Sequence, residues 1–314
     1  MEILETIGRE DLAVVYVGRT ESGKILEFVE ALVPPCPRDE KWVLIISTLY
    51  GCPVGCLMCD SGLSFNGRVS EEDIWAQIDT LVSRRYPSGT VSTRKLKIHF
   101  ARMGDPSFNP SVNRILSGLG DRYDAPGLLP SLSTVAPEGT DGFFEELLEV
   151  RERHYPDGVF QLQFSIHTTD AAARDELIPI RKWGFPRIAR YGEAFFASGR
   201  GRKVTLNFAA STRYPVNPAI IRDHFDPGSF LIKITPLNPS LSSARNGLHS
   251  LVSLDPGDPI GRRLAEAFEA LGYQAVLSIG EPAENLIGSN CGLRVRQAAP
   301  HRRQDCRKSH PVIS

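Results

Sequence analysis

Three cysteines lie close together in the segment Gly51-Cys52-Pro53-Val54-Gly55-Cys56-Leu57-Met58-Cys59. Thiolates are the usual ligands of iron–sulfur clusters, and three of them leave one iron of a [4Fe–4S] cluster open to a further ligand. The alternative is a zinc site with Cys36 or a histidine as the fourth ligand. Zinc sites usually combine two C-x2-C pairs, and only Cys56 and Cys59 have that spacing here. The pattern therefore favours an iron–sulfur cluster.

Composition bounds the class of protein. The chain has 314 residues, of which 41% are hydrophobic, and this suits one large α/β domain. Lys and Arg number 36 against 37 Asp and Glu, so the net charge of −1 does not indicate a nucleic-acid binder, and any polyanion site would be local. Six cysteines, three of them clustered, fit a metal site in a reducing compartment better than a disulfide framework. With no basic leader and no long apolar run, we expect a soluble cytoplasmic protein without a membrane span.

The elements around the cysteines alternate between strands and helices. The cysteine segment directly follows the first β-rich run of the main domain. The predicted strands are 43–48, 95–100, 129–134, 159–166, 203–209 and 230–236, with a possible seventh at 274–279. The predicted helices are 70–85, 109–119, 141–154, 185–197 and 259–271. This alternation predicts an α/β fold, a partial (β/α)6 barrel, with its chemistry at the carboxyl ends of the strands.

Two further segments flank the predicted barrel. Residues 12–33 alternate as two strands joined at 19–23, which predicts an N-terminal β-hairpin. The last residues are basic and resemble a tail. We therefore divide the chain into a hairpin extension (1–40), the barrel (41–296) and a basic C-terminal tail (297–314).

The cysteine motif and several later fragments, in this order, resemble the RlmN/Cfr family of radical S-adenosyl-L-methionine (SAM) methyltransferases, which methylate an adenine carbon of ribosomal RNA. The resemblance runs from about residue 12 to about residue 296. The fragments are Gly51–Gly62 with Phe65-Asn66-Gly67-Arg68, Met103–Asn109, Ser165-Ile166-His167 with Arg174–Ile180, Pro236-Leu237-Asn238-Pro239, and Asn290-Cys291-Gly292. The resemblance implies a radical SAM barrel, a [4Fe–4S] cluster on Cys52, Cys56 and Cys59, SAM on the open iron, and an external electron donor such as flavodoxin or ferredoxin.

The resemblance also implies roles for residues at the predicted strand ends. Gly104 and Asp105 are expected against the amino end of SAM. The rest of the SAM pocket is expected from Ser133, Ser165, Ile166, His167 and Asn238. Without the resemblance, Ser133 or Ser165 alone would be interpreted as an ordinary strand-end hydroxyl.

Two catalytic residues follow from the same resemblance. Cys291 matches the family's methyl-carrying cysteine, whose thiolate accepts a methyl group from one SAM before the radical made from a second SAM activates it. An isolated cysteine is otherwise often a buried apolar residue. Glu30 matches a glutamate that the family uses near its proton chemistry, although a strand glutamate facing water is a plain alternative.

The chain departs from the family pattern in three ways. Ile45 stands where the family has a second catalytic cysteine, which breaks the thioether between enzyme and product, and Cys36 and Glu30 are candidates to replace it. Asp105 replaces the usual glutamate and is one methylene shorter. The family's N-terminal RNA-binding extension is not expected, since the hairpin is predicted to begin near residue 12.

Three hypotheses remain open at this point. The first is a radical SAM methyltransferase that acts through Cys291 on an unactivated carbon of a small molecule, a peptide or RNA. The second is a radical SAM enzyme that uses the 5′-deoxyadenosyl radical directly on its substrate for rearrangement, epimerisation or dehydrogenation. The third is a non-catalytic zinc protein that binds RNA through its basic tail.

Overall fold

A large mixed sheet with helices between its parallel strands forms the protein. The computed structural model describes residues 1–196, 201–255, 257–290 and 293–294. The strands are β1 (Glu2–Arg9), β2 (Ala13–Arg19), β3 (Ile25–Ala31), β4 (Trp42–Ile46), β5 (Leu49–Gly51), β6 (Phe65–Arg68), β7 (Leu96–Phe100), β8 (Leu128–Thr134), β9 (Gln161–Ser165), β10 (Val204–Ala210), β11 (Phe230–Pro236) and β12 (Gln274–Leu277). The helices are α1 (Glu71–Arg85), α2 (Ser111–Arg122), α3 (Asp141–His154), α4 (Ala171–Leu177), α5 (Phe185–Phe196), α6 (Pro218–His224), α7 (Leu241–Arg245), α8 (Pro259–Glu269) and α9 (Pro282–Ile287).

The main sheet has the order β1-β2-β3-β4-β7-β8-β9-β10-β11-β12. From β4 to β12 every neighbouring pair is parallel, and the expected seventh strand is present as β12. β1 and β12 lie at the two edges of the described sheet, so it is not a closed barrel. This mostly parallel α/β sheet confirms the predicted fold class.

Alternation along the strands separates an apolar face from a polar one. In β7, Leu96, Ile98 and Phe100 are fully buried, whereas Lys97 and His99 line a cavity on the other face. The apolar face packs with helix residues such as Ile74 and Ile78 of α1 in one continuous core. The period of two in β7 therefore places its apolar side chains against the helices and its polar side chains in the cavity. The helical period of α1 turns its apolar stripe toward the sheet.

The N-terminal strands extend the same sheet. The predicted hairpin is present as β2 and β3, and β3 pairs antiparallel with β4. The hairpin begins near residue 12, as predicted, but a further strand, β1, precedes it and pairs with β2. β1 buries neither face, so its sequence has no apolar alternation that could reveal it.

The five predicted helices are present, with ends that differ by a few residues. Residue 197, the predicted end of the fourth, lies outside the described residues. The additional helices α4, α6, α7 and α9 are each seven residues or shorter, which is too short for a clear 3.6-residue pattern. No helix in the described ranges has both the length and the apolar character needed to cross a bilayer.

Candidate active site

One cavity of about 580 Å³ lies on the polar face of the parallel strands and reaches the loops at their carboxyl ends. It brings together most of the residues singled out from the sequence. These are Cys52, Cys56, Cys59, Gly104, Asp105, Ser133, Ser165, His167 and Asn238. Ile166 is fully buried and does not line the cavity, Glu30 lies elsewhere, and Cys291 is outside the described residues.

Close backbone packing shapes the loop that carries the cysteines. Gly51 has φ +85°, and a Cβ there would lie 1.8 Å from the carbonyl oxygen of Ser64. A Cβ on Gly62 would lie 2.7 Å from Cα of Gly55. Only glycine fits such contacts, so the loop can fold back on itself and turn the three cysteines toward the cavity.

Hydrogen bonds from a short segment after β11 hold the cysteine loop in place. Asp60 is buried, and its carboxylate accepts a 2.8 Å hydrogen bond from the Ser242 backbone N–H at the start of α7. Ser240 Oγ donates to the Met58 carbonyl at 2.8 Å, and Asn246 Nδ2 donates to the Leu57 carbonyl at 2.8 Å. The cysteine loop is therefore fixed by contacts almost two hundred residues away in sequence, which sequence reasoning missed.

Two of the three thiols, those of Cys52 and Cys56, are hard to deprotonate in the protein alone. Burial, and secondly the charge of Asp105, raises the pKa of Cys52 to about 12. Burial and the neighbouring Cys59 thiol raise the pKa of Cys56 well above its ordinary value. Cationic iron would offset this cost, because metal binding deprotonates coordinating thiols. The donor set therefore fits an iron–sulfur cluster.

The arrangement of the three cysteines also bears on the zinc alternative. Ligands of one zinc ion must converge on a single point about 2.3 Å from each sulfur. In the part of the chain that the structure describes, no three His, Cys, Asp or Glu side chains converge in this way. In a [4Fe–4S] cluster each cysteine binds its own iron, so the three sulfurs need not converge on one point.

Gly104 and Asp105 close the loop after β7. Gly104 has φ +89°, and a Cβ there would lie 2.4 Å from the side chain of Leu49, so no larger residue fits. The Asp105 carboxylate accepts hydrogen bonds from Ser107 N–H (3.0 Å), Thr134 Oγ1 (2.9 Å) and Val135 N–H (2.8 Å). Because these bonds occupy the carboxylate, Asp105 joins the ends of β7 and β8 in addition to lining the cavity.

A hydrogen-bonded cluster surrounds Ser133. Its hydroxyl oxygen accepts from Gln163 Nε2 at 3.0 Å and lies 2.8 Å from Nε2 of His99. Burial, and secondly the charges of Lys97 and Lys233, lowers the pKa of His99 well below its ordinary value. His99 is therefore neutral at physiological pH and orients the Ser133 hydroxyl. Sequence reasoning did not single out His99 or Gln163, although both alternate inward on their strands.

His167 combines an unusual backbone with a defined tautomer. Its φ is +64°, a conformation in which few non-glycine residues are found. Burial, and secondly the charge of Arg174, lowers its pKa to about 3, and Nδ1 accepts a 3.1 Å hydrogen bond from the Ala209 N–H. The neutral ring must therefore carry its proton on Nε2, so it can donate to a ligand in the cavity. The backbone N–H groups of Ile166 and His167 both donate to the Asn207 carbonyl, which holds this turn.

Glu30 does not line the cavity. It is buried, and its carboxylate accepts hydrogen bonds from Tyr16 Oη at 2.6 Å, Trp42 Nε1 at 3.1 Å and both Nε and Nη2 of Arg85. Burial alone would raise the pKa of Glu30, but hydrogen bonds from Arg85 and Tyr16 lower it on balance. The contacts of this carboxylate therefore connect β2, β3, β4 and α1, and the structure does not bring it to the other site residues.

Arg102, which sequence reasoning missed, fixes the segment that precedes Cys291. It is buried, lines the cavity and forms an ion pair with Glu27 at 2.5 Å. Its guanidinium donates to the carbonyls of Gly288 at 2.6 Å and Ser289 at 2.8 Å. On the far side of residues 291–292, the Arg294 N–H donates to Glu27 at 2.8 Å. Ser289 and Asn290 line the cavity, so the described residues before Cys291 reach its wall.

The position of the missing cysteine also faces the cavity. Ile45 lines it from β4, whereas Cys36 lies in the turn after β3 and does not. Neither replacement suggested by the sequence, Cys36 or Glu30, is therefore in the cavity. Among the described residues, the groups in the cavity that could transfer a proton include Lys97, His99 and Glu284.

Known proteins with similar sequences are RNA methyltransferases. No protein-family model matches the chain. The probable dual-specificity RNA methyltransferase RlmN of Synechococcus sp. (strain CC9311) is 27% identical over 193 residues, which cover 60% of this chain and 51% of that protein. The dual-specificity RNA methyltransferase RlmN of Alkalilimnicola ehrlichii is 26% identical over 209 residues, 66% of this chain and 54% of that protein. The chain spans about half the length of these relatives.

A solved structure extends the similarity to the fold. It is a crystal structure of a radical SAM methyltransferase from Sphaerobacter thermophilus, with a TM-score of 0.66 and 19% identity. The match covers 88% of this chain and 76% of that one. The chain therefore has the fold of a radical SAM methyltransferase.

Proposed function

We propose that this protein is a radical SAM methyltransferase that uses Cys291 to carry a methyl group to an unactivated carbon of its substrate. The main support for the proposal is that three closely spaced cysteines share one cavity with polar side chains from successive strand ends. The fold and the relatives support the same class of enzyme.

Cys52, Cys56 and Cys59 would hold a [4Fe–4S] cluster. When bound, this cluster supplies the electron that cleaves SAM and generates a carbon radical. The chain's own residues bind and orient SAM: Gly104 packs closely on Leu49 and lines the cavity with its backbone, and Nε2–H of His167 donates a hydrogen bond. The remaining contacts to SAM come from Asp105, Ser133, Ser165 and Asn238, which line the cavity, whereas Ile166 supports the turn that carries His167.

Cys291 is proposed as the methyl carrier because its flanking residues are tied to the cavity wall. Arg102 binds the carbonyls of Gly288 and Ser289, and Asn290 lines the cavity. A thiolate is a strong nucleophile toward a methyl sulfonium group, and its sulfur stabilises an adjacent carbon radical. The residue type and its neighbours suit that role.

The partners follow from the chemistry. Reduction of a cluster requires an external electron donor, for which flavodoxin or ferredoxin is suitable, and three clustered thiols need a reducing compartment such as the cytoplasm. The substrate is a small molecule, a peptide or RNA. The relatives are named as RNA methyltransferases, and this name is the basis for including RNA.

Anaerobic reconstitution tests the cluster and SAM cleavage together. We expect about four irons and four sulfides per chain, and 5′-deoxyadenosine on reduction with SAM. Replacing Cys52, Cys56 and Cys59 by alanine should abolish both. The matched control is Cys36→Ala, which removes a cysteine outside the cavity and should leave both unchanged. Unaltered SAM cleavage by the triple variant would contradict the proposal.

A second function is favoured by Ile45. This aliphatic side chain lines the cavity where the resolving cysteine is expected, so release of a thioether-linked product would need another group. An enzyme that uses the 5′-deoxyadenosyl radical directly on its substrate has no such requirement. Methyl-labelled SAM separates the two functions, since only the methyltransferase transfers the label.

A further inference from the structure

Two lysines occupy the interior of the cavity. Lys97 lies on β7 and Lys233 on β11, with β8, β9 and β10 between them in the sheet. Both line the cavity, together with Lys41, which directly precedes β4. Their neighbours on the same strands, such as Ile98 and Ile232, are fully buried in the opposite, apolar face. The strand alternation therefore directs three ammonium groups into one space.

None of these lysines is neutralised by the protein that the structure describes. In the described ranges, Lys41, Lys97 and Lys233 form no ion pair, whereas the buried Lys182 is paired with Asp175. Three carboxylates line the cavity, but Asp105 is occupied by Ser107, Thr134 and Val135. The other two, Glu281 and Glu284, lie at the N-terminal end of α9, after β12.

The lysines also repel one another. Burial, and after it the charges of Lys233 and Lys41, lowers the pKa of Lys97 to about 7. Burial and Lys41 likewise lower the pKa of Lys233. The groups that face Lys97 and depress its pKa are all cationic: Lys41, Lys95, Arg202 and Lys233. Enclosed like charges without a counter-ion are costly, and natural proteins retain them mainly at functional sites.

We propose that Lys97, Lys233 and Lys41 form an anion site in the cavity, which holds a phosphate or carboxylate group of a small-molecule substrate. This proposal rests on the proposed function in one respect only: it assigns the bound anion to a substrate of the enzyme. A compact ligand is favoured because the positive charge lies inside a cavity of about 580 Å³ that also has to hold SAM. A polymer such as RNA would need positive charge along the outer surface, and the chain's net charge is −1.

Calorimetric titration with sulfate and with acetate, at constant ionic strength, tests the site without any turnover. Both probes keep their charge near neutral pH. The SAM-loaded protein should bind at least one of them saturably, and Lys97→Met and Lys233→Met should each weaken binding roughly tenfold or more, because each loses a charge-assisted hydrogen bond. Lys97→Arg keeps the charge and should retain binding. The control Lys24→Met removes the same charge from the exposed β2–β3 turn and should bind like the wild type.

Proton uptake gives a second readout. An anion beside Lys97 favours its charged form, so binding near pH 7.5 should draw protons from the buffer, and Lys97→Met should reduce this uptake.

Absence of saturable binding, or equal binding by Lys97→Met and Lys24→Met, would overturn the anion site. Equal losses of SAM and sulfate affinity in Lys97→Met would assign the lysines to SAM instead. Displacement of sulfate by a single-stranded RNA oligonucleotide at lower concentration than by acetate would overturn the small-molecule substrate. Failure of the wild type to cleave SAM would contradict only the proposed function, since the titration does not depend on it.

Discussion

At the scale of single residues, His167 links backbone geometry to ligand binding. Its positive φ and the hydrogen bond from Ala209 to Nδ1 leave Nε2–H as the free donor of a neutral ring. His167→Asn keeps an acceptor close to the position of Nδ1 and tolerates positive φ, but it removes the distal donor. We expect its SAM affinity, measured by equilibrium binding to the reconstituted protein, to fall roughly tenfold or more with the cluster intact. Unchanged affinity would show that His167 does not contact SAM.

The same substitution tests the protonation state of His167. An unfolded histidine takes up a proton below a pKa of about 6.5, whereas His167 in the folded protein does so only near 3. Stability should therefore fall as the pH decreases from 7 to 5.5, by about 1 kcal/mol for this residue. Urea unfolding at both pH values should show a smaller fall in His167→Asn than in the wild type. An equal fall in the two proteins would mean that His167 is protonated in the folded state.

Glu30 is expected to stabilise the fold and not to take part in catalysis. Glu30→Gln leaves the half-buried guanidinium of Arg85 with only the exposed Glu10 as a charge partner, and losing a hydrogen bond between charged groups costs about 1.5–3 kcal/mol. The free energy of unfolding should fall accordingly, while SAM cleavage per folded molecule stays unchanged. Glu10→Gln is the matched control, because Glu10 contacts the same arginine from an exposed position. Loss of cleavage in a stable Glu30→Gln protein would restore a catalytic role for Glu30.

At the scale of elements, Arg102 connects the loop after β7 with the segment after α9. It is a positioning residue, since it acts through the carbonyls of Gly288 and Ser289. Arg102→Met should increase hydrogen exchange in the peptide that ends at Asn290. It should also reduce methyl transfer more than 5′-deoxyadenosine formation, because its guanidinium fixes the segment before Cys291, whereas His167 and Asn238 hold SAM from other strand ends. Arg114→Met, which removes an exposed pair with Glu71, should change neither. Equal losses of methyl transfer and SAM cleavage in Arg102→Met would contradict this role.

At the scale of the whole molecule, patterns that depend on near neighbours in sequence were predictable. The seven parallel strands follow from β-rich runs, and α1 follows from Ser70, whose hydroxyl accepts from the Asp73 N–H, and from its apolar stripe. The position of the cysteine segment after the first β-rich run predicted that the three thiols follow the first parallel strand. The strand-end residues then met at one edge because the strands are parallel.

Features that depend on contacts between distant residues were not predictable. The hydrogen bonds of Asp60 with α7, of Arg102 with Ser289 and of Glu30 with Arg85 join segments that no spacing connects. Strand β1 lacks an apolar face, so nothing in its pattern distinguishes it from a loop. Lys97 and Lys233 alternate inward, but three strands separate β7 from β11 in the sheet, so no local pattern shows that their charges interact.

The most direct test of methyl transfer through Cys291 is mass spectrometry of the peptide that contains this residue. The reconstituted protein is incubated with a reductant and SAM carrying a deuterated methyl group, and 5′-deoxyadenosine is measured in the same sample. We expect 5′-deoxyadenosine to form and the Cys291 peptide to gain a labelled one-carbon group, which is absent from Cys291→Ala. Formation of 5′-deoxyadenosine with an unmodified, unlabelled Cys291 peptide and full activity in Cys291→Ala would contradict methyl transfer through Cys291.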